Sequence, residues 1–129
     1  MVISYVHSAT VLVRDQAAAV DFYVNTLGFE KRMDNPFGEH SRWIVVGPPG
    51  GQAGLALLKP EDVGQDAESA RGSTGISFIA DDVQATYDQL VARGVTFTSP
   101  PQQMPWGATA TWFNDPDGNN YFLTDDTVW

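Results

Sequence analysis

The feature that most constrains the fold is a repeat: one supersecondary pattern is written twice along the chain. Val13-Arg14-Asp15 leads into residues 16–26 and closes on Leu27-Gly28-Phe29, while Ala80-Asp81-Asp82 leads into residues 83–92 and closes on Arg93-Gly94-Val95. Each copy reads as a strand end, an Asp able to cap a helix, about three helical turns, a Gly stop and a new strand. A short β-α-β unit cannot bury its apolar face alone and must pack against a partner. Two such units leave a concave seam, which is where ligands settle. Function is therefore expected on the strand faces rather than on the helices.

With 129 residues, 43% of them hydrophobic and 18% charged, the chain is long enough for a buried core and has the balance of an ordinary globule. No apolar run reaches membrane-spanning length, and Met1-Val2-Ile3-Ser4 lacks the basic start of a signal peptide, so a cytoplasmic protein is expected. The absence of cysteine excludes disulfides, thiolate-bound zinc, iron–sulfur clusters and a thiol nucleophile. A net charge of −9 disfavours nucleic acid, whose phosphates it would repel. The same acidity serves solubility, or attracts a cationic ligand.

Read in order, residues 3–13 alternate as a strand, with Ala9, Val11 and Val13 on one face and Val6, Ser8, Thr10 and Leu12 on the other. The first helix presents Ala19, Val20, Tyr23 and Leu27. Strands are expected at 29–33, broken by Asn35-Pro36-Phe37-Gly38, then at 43–46 and 54–58. Residues 61–74 lack periodicity and read as a linker between module 1–60 and module 75–129, within one structural domain. The second module has strands at 75–80, 95–98, 109–113 and 120–124, with a helix over 82–93 whose inward residues are Val83, Tyr87, Leu90 and Val91. Residues 100–107, rich in Pro, form an extended loop that no central strand could tolerate. Asp115-Pro116-Asp117-Gly118-Asn119 is a tight turn. The result is an α+β chain with eight strands in two βαβββ modules, forming a curved mixed sheet around a cleft with helices outside. Ala9, Val11, Ile76, Phe78, Tyr121 and Leu123 are expected on the helix-packed faces.

Four elements in this order, Val13-Arg14-Asp15, Asp21-Phe22-Tyr23, Leu27-Gly28-Phe29 and Asp115 to Asn119, give the chain its resemblance to the vicinal oxygen chelate superfamily of glyoxalases, bleomycin-resistance proteins and extradiol dioxygenases. The resemblance covers nearly the whole length. It implies four inward positions where metal-using members carry ligands, which fall here on Ser8, Ala56, Gly75 and Phe122. One hydroxyl and no imidazole or carboxylate cannot supply the several N or O donors a divalent ion needs, so neither metal nor other cofactor is expected. The resemblance also implies a homodimer, which would cover an edge bearing Tyr5, Val6, Val128 and Trp129.

The remaining candidates have two readings each. His7 adjoins a ligand position but should point to the opposite face from Ser8. Glu39 and His40, near the mouth of the cleft, could serve as an acid–base pair or be an ordinary solvated loop pair. Trp43, Trp106 and Trp112 could wall the cleft above an apolar Phe122 floor, or simply pack. Arg42 could meet a ligand carboxylate or a surface acid. Asp15 and Asp82 are helix caps rather than catalysts. The combined expectation is a metal-independent protein binding a small molecule, aromatic and in one reading cationic, with no nucleic-acid or membrane partner. The alternatives are a metal-dependent lyase or dioxygenase, and a metal-free isomerase or cyclase using Glu39 and His40.

Overall fold

The computed structural model describes residues 2–126. The chain divides into two compact units at Arg71/Gly72. In the first, β1 (Ser8–Leu12), α1 (Gln16–Val20), β2 (Glu30–Phe37), β3 (Ser41–Gly47) and β4 (Gly54–Leu58) form a four-stranded sheet of order β1-β4-β3-β2. β1 runs parallel to β4, and the other pairs are antiparallel. In the second, β5 (Gly72–Ile79), α2 (Val83–Ala92), β6 (Thr96–Phe97), β7 (Gln102–Gln103), β8 (Thr109–Asn114) and β9 (Asn119–Thr124) repeat the plan. The sheet order is β5-β9-β8-β6, with β7 also on β8, and β5 is parallel to β9. In each unit the strand before the helix lies beside the last strand of its own module.

Both helices begin as the sequence indicates. Asp15 accepts from the Ala18 N–H at 3.0 Å and Asp82 from the Ala85 N–H at 3.0 Å, satisfying donors that a helix start leaves free. Gly28 and Gly94 end the two segments at φ 81° and 90°, a conformation that costs other residues strain. The first helix widens after Val20 into a π-helical stretch, Asp21–Thr26, marked by the Leu27 N–H bonding to the Phe22 carbonyl at 3.0 Å.

Register explains the core of the first unit. Val11 faces Leu57, and Leu57 faces Ile44, so these side chains share one face of the sheet. All are buried, as are Ala19 and Tyr23 of the helical segment, which packs on this sheet. The opposite face carries a second buried cluster of Val45, Ala56 and Leu58, with Met33 and Trp43 against it. The second unit has an aromatic core. Phe113 lies between Phe97 and Tyr121, centroids 5.6 and 5.4 Å away, Phe78 caps Tyr121 at 5.1 Å, and Tyr87 of α2 meets Phe97 at 4.7 Å.

Several boundaries differ from expectation. β1 starts at Ser8 rather than residue 3, because its partner β4 begins at Gly54, whose N–H makes the last rung to the His7 carbonyl. β2 runs on through Pro36 to Phe37. It is the edge strand, so the N–H that proline lacks costs no ladder bond on its open side. β5 starts at Gly72, inside the expected linker, because Gly72 and Ser73 pair with Asn119 and Asn120. Two short 3₁₀ turns, Pro60–Val63 and Ala67–Ser69, order much of the rest of that linker. The described residues hold nine strands instead of eight, since Gln102 and Gln103 of the Pro-rich loop pair with Ala110 and Thr109. Val91 is exposed because it lies one residue past the Val83-Tyr87-Leu90 face. Val128 and Trp129 lie outside the described residues.

Candidate functional site

A concavity lies within the second unit. It is a cavity of about 180 Å³ over the face of β5, β8 and β9. Trp112 of β8 and Phe122 of β9 stand directly opposite each other in the antiparallel register, ring centroids 4.9 Å apart and inclined at 52°. They form its aromatic wall, with Ile76 as a further apolar contact.

The other wall is a strand that departs from regular pairing. Between Ser73↔Asn120 and Ser77↔Phe122, β5 spends three residues where β9 spends one. Gly75 sits in this bulge at φ 70°, the left-handed region. Thr74 secures it: its hydroxyl donates to the Asn120 carbonyl at 2.8 Å and accepts from the Ile76 N–H at 3.0 Å. Simple alternation would place Ile76 on the helix-packed face. The bulge breaks that alternation and leaves Ile76 lining the cavity. Ser73, Ser77 and Asn120 supply the polar lining. The Asn120 Nδ2 is committed to the Asn114 Oδ1 at 2.8 Å.

Of the residues singled out from the sequence, Gly75, Trp112 and Phe122 come together here. Trp106 is 61% exposed, at the tip of the hairpin between β7 and β8, and does not line the cavity. Trp43 lies in the first unit, edge-on to Phe37 at 5.5 Å and packed on the cluster that holds Ala56. Ser8 shares a hydrogen bond with His7 Nδ1 at 3.1 Å. Glu39 and His40 approach to 3.8 Å in the β2–β3 turn, with both side chains about nine-tenths exposed (92% and 89%), a solvated pair of little energetic weight. Arg42 is engaged by Asp34, whose carboxylate takes its Nε, and Lys31 adds a second contact at 2.9 Å. These bonds from Arg42 and Lys31 hold the Asp34 carboxyl below its usual range. Ser73, Ser77 and Asn120 escaped sequence reading, although each lies two residues from Gly75 or Phe122, the spacing that returns a strand to the same face.

The family model described as the Glyoxalase/Bleomycin resistance protein/Dioxygenase superfamily matches residues 5–121. The chain belongs to that superfamily. A superfamily member from Sphaerobacter thermophilus is 52% identical, with 98% of this chain and 100% of that one covered and a TM-score of 0.91. TnmS3, described as an antibiotic binding protein from Streptomyces sp. CB03234, is 39% identical over 95% of this chain and 96% of its own, with a TM-score of 0.78. YetH of Bacillus subtilis is 32% identical over 95% of this chain and 99% of its own.

Metal-using members of the superfamily hold an ion between side-chain donors, and the residues here do not fit one. Gly75 offers no donor, and its left-handed backbone disfavours any side chain that would. Phe122 is an apolar ring, and Ala56 is closed within an apolar cluster at 1% exposure. Among the described residues there is no group of three or more His, Asp or Glu able to hold an ion.

Proposed function

We propose that this protein is a metal-independent, cytoplasmic binder of a small planar aromatic molecule, acting as a homodimer. The observation that carries the reading is the Trp112–Phe122 pair beside the Gly75 bulge: an apolar ring stands at one position implied for a ligand, and a glycine in a left-handed bend at another. A ring entering there would contact two aromatic faces, each contact contributing roughly 0.5–1.5 kcal/mol beyond simple burial. The description of TnmS3 as antibiotic-binding supports a small-molecule-binding role for this chain. The absence of cysteine suits a reducing compartment, and no described helix is long and apolar enough to cross a membrane.

Titration of the purified protein with a panel of planar aromatic compounds, followed by tryptophan fluorescence, tests this. Quenching that is lost in Trp112→Phe, and binding unchanged by chelator or by added Zn²⁺, Ni²⁺ or Fe²⁺, is the expected result. A metal held at one per chain through dialysis, or ligand binding that requires it, would refute the reading.

A further inference from the structure

We infer that the cavity on the second unit is a one-ring subsite selective for neutral, hydrogen-bonding aromatics, and that the β5 bulge creates that selectivity. The inference rests on the small-molecule reading above and specifies its ligand chemistry. Size sets the first limit. An apolar cavity of roughly 150 Å³ admits benzene, so about 180 Å³ accommodates one substituted ring. A larger ligand would place one ring here and the remainder outside.

Charge sets the second limit. Among the described residues no Asp, Glu, Lys or Arg lines the cavity, despite a net charge of −9 over the whole chain. That overall charge acts mainly at long range, and salt screens it beyond about 8 Å at physiological ionic strength. There a cation or an anion would give up part of its water beside Trp112, Phe122 and Ile76 without gaining a counter-charge, a cost that contact with a ring face offsets in part for a cation alone. The neutral polar groups fit a different guest. Ser73 and Ser77 each offer a hydroxyl able to donate and accept. The Asn120 amide nitrogen donates to the Asn114 Oδ1 at 2.8 Å and to the Phe113 carbonyl at 3.5 Å, so its own oxygen Oδ1 is the group left to accept. A phenol, carboxamide or ring carbonyl meets this set without a charge.

The bulge links these observations. Extra residues in β5 carry Ser73, Gly75 and Ser77 past only Asn120 and Phe122 on β9 and bring Ile76 to the same cavity. At Gly75 a Cβ would meet nothing within 4 Å. The space beside it is open, and its positive φ favours glycine.

Three probes of one shape and different charge test the inference on the full chain: 4-hydroxybenzamide (neutral), 4-hydroxybenzamidine (cationic) and 4-hydroxybenzoate (anionic). Dissociation constants are read from ¹H–¹⁵N shifts of the Trp112 indole and the Ser77 amide at near-physiological salt. The carboxamide is expected to bind about fivefold tighter than either ion, and Ser77→Ala to reduce that preference about threefold. Ser77→Asp should reverse the order in favour of the amidine. Equal or tighter binding of the amidine by the wild type, with the same resonances shifting, overturns the charge inference and leaves the ring-binding reading standing. An unchanged order in both Ser77 variants overturns it as well. If none of the three shifts the Trp112 indole, the ring-binding reading falls and takes this inference with it.

Discussion

Single side chains replace backbone bonds at the points where strands end. Gln16, the first residue of α1, donates from Nε2 to the carbonyls of Arg42 (2.6 Å) and Leu57 (2.8 Å) and accepts from the Arg42 N–H at 3.1 Å. Its amide thus stands in for a missing rung beyond the Ile44↔Leu57 pair. Arg32, at the β2 bulge, donates to the carbonyls of Pro48, Gln52 and Ala53 and so ties down the β3–β4 loop. A Cβ on Gly47 would lie 2.6 Å from that guanidinium, so a side chain there would push the end of Arg32 away from these carbonyls. Asp115 does comparable work in the second unit. Its buried carboxylate accepts from the N–H groups of Asp117 and Asn119 and from the Asn119 side chain, all within 2.8–2.9 Å. Asp115→Ala leaves these buried donors unpaired and should cost about 1–3 kcal/mol, more than Asp117→Ala, as measured by urea denaturation.

Among the elements, β5 shows how a departure from regularity serves a site. A regular strand alternates strictly, and Ile76 would then face the helix with Phe78. The bulge leaves Phe78 on the aromatic core while bringing Ile76 to the cavity. Gly75→Ala meets no steric obstacle, so its cost is the left-handed backbone alone, about 1–2 kcal/mol. The melting temperature should fall by several degrees, on the order of 3–8 °C, and aromatic binding should weaken in the same variant. An alanine variant as stable as wild type would mean that the bulge relaxes to a conformation open to other residues.

For the whole molecule, the exposed N-terminal stretch raises the question of assembly. Val2, Ile3, Tyr5 and Val6 are between 56% and 100% exposed, ahead of a β1 edge that has β4 on one side only. Apolar side chains in series beside an open strand edge favour a partner. Light scattering at micromolar concentration should return about twice the 14.1 kDa chain mass, and removing residues 2–6 should lower it. A monomer mass for the intact chain would refute the homodimer.

The repeat, the helix caps, the glycine stops and the Asp115 turn were legible in the sequence because each depends on local geometry: a capping oxygen, a positive φ, a tight turn. Superfamily membership was legible for the same reason, since its markers are those local signals in a given order. Gly75 and Phe122 were visible as the residue types at positions that the resemblance implies for ligands. Which side chains share the cavity was settled only by tertiary structure. Ser73, Ser77 and Asn120 keep the two-residue spacing from Gly75 and Phe122, whereas Ile76 joins them at a register shift between two strands that lie far apart in the chain. Trp106 and Trp112, only a few residues apart, part because one sits at a hairpin tip and the other on a paired strand. Composition and spacing are properties of the chain's own order, whereas register is set by which hydrogen bonds two distant strands make, and a shift of one residue moves every side chain to the other face.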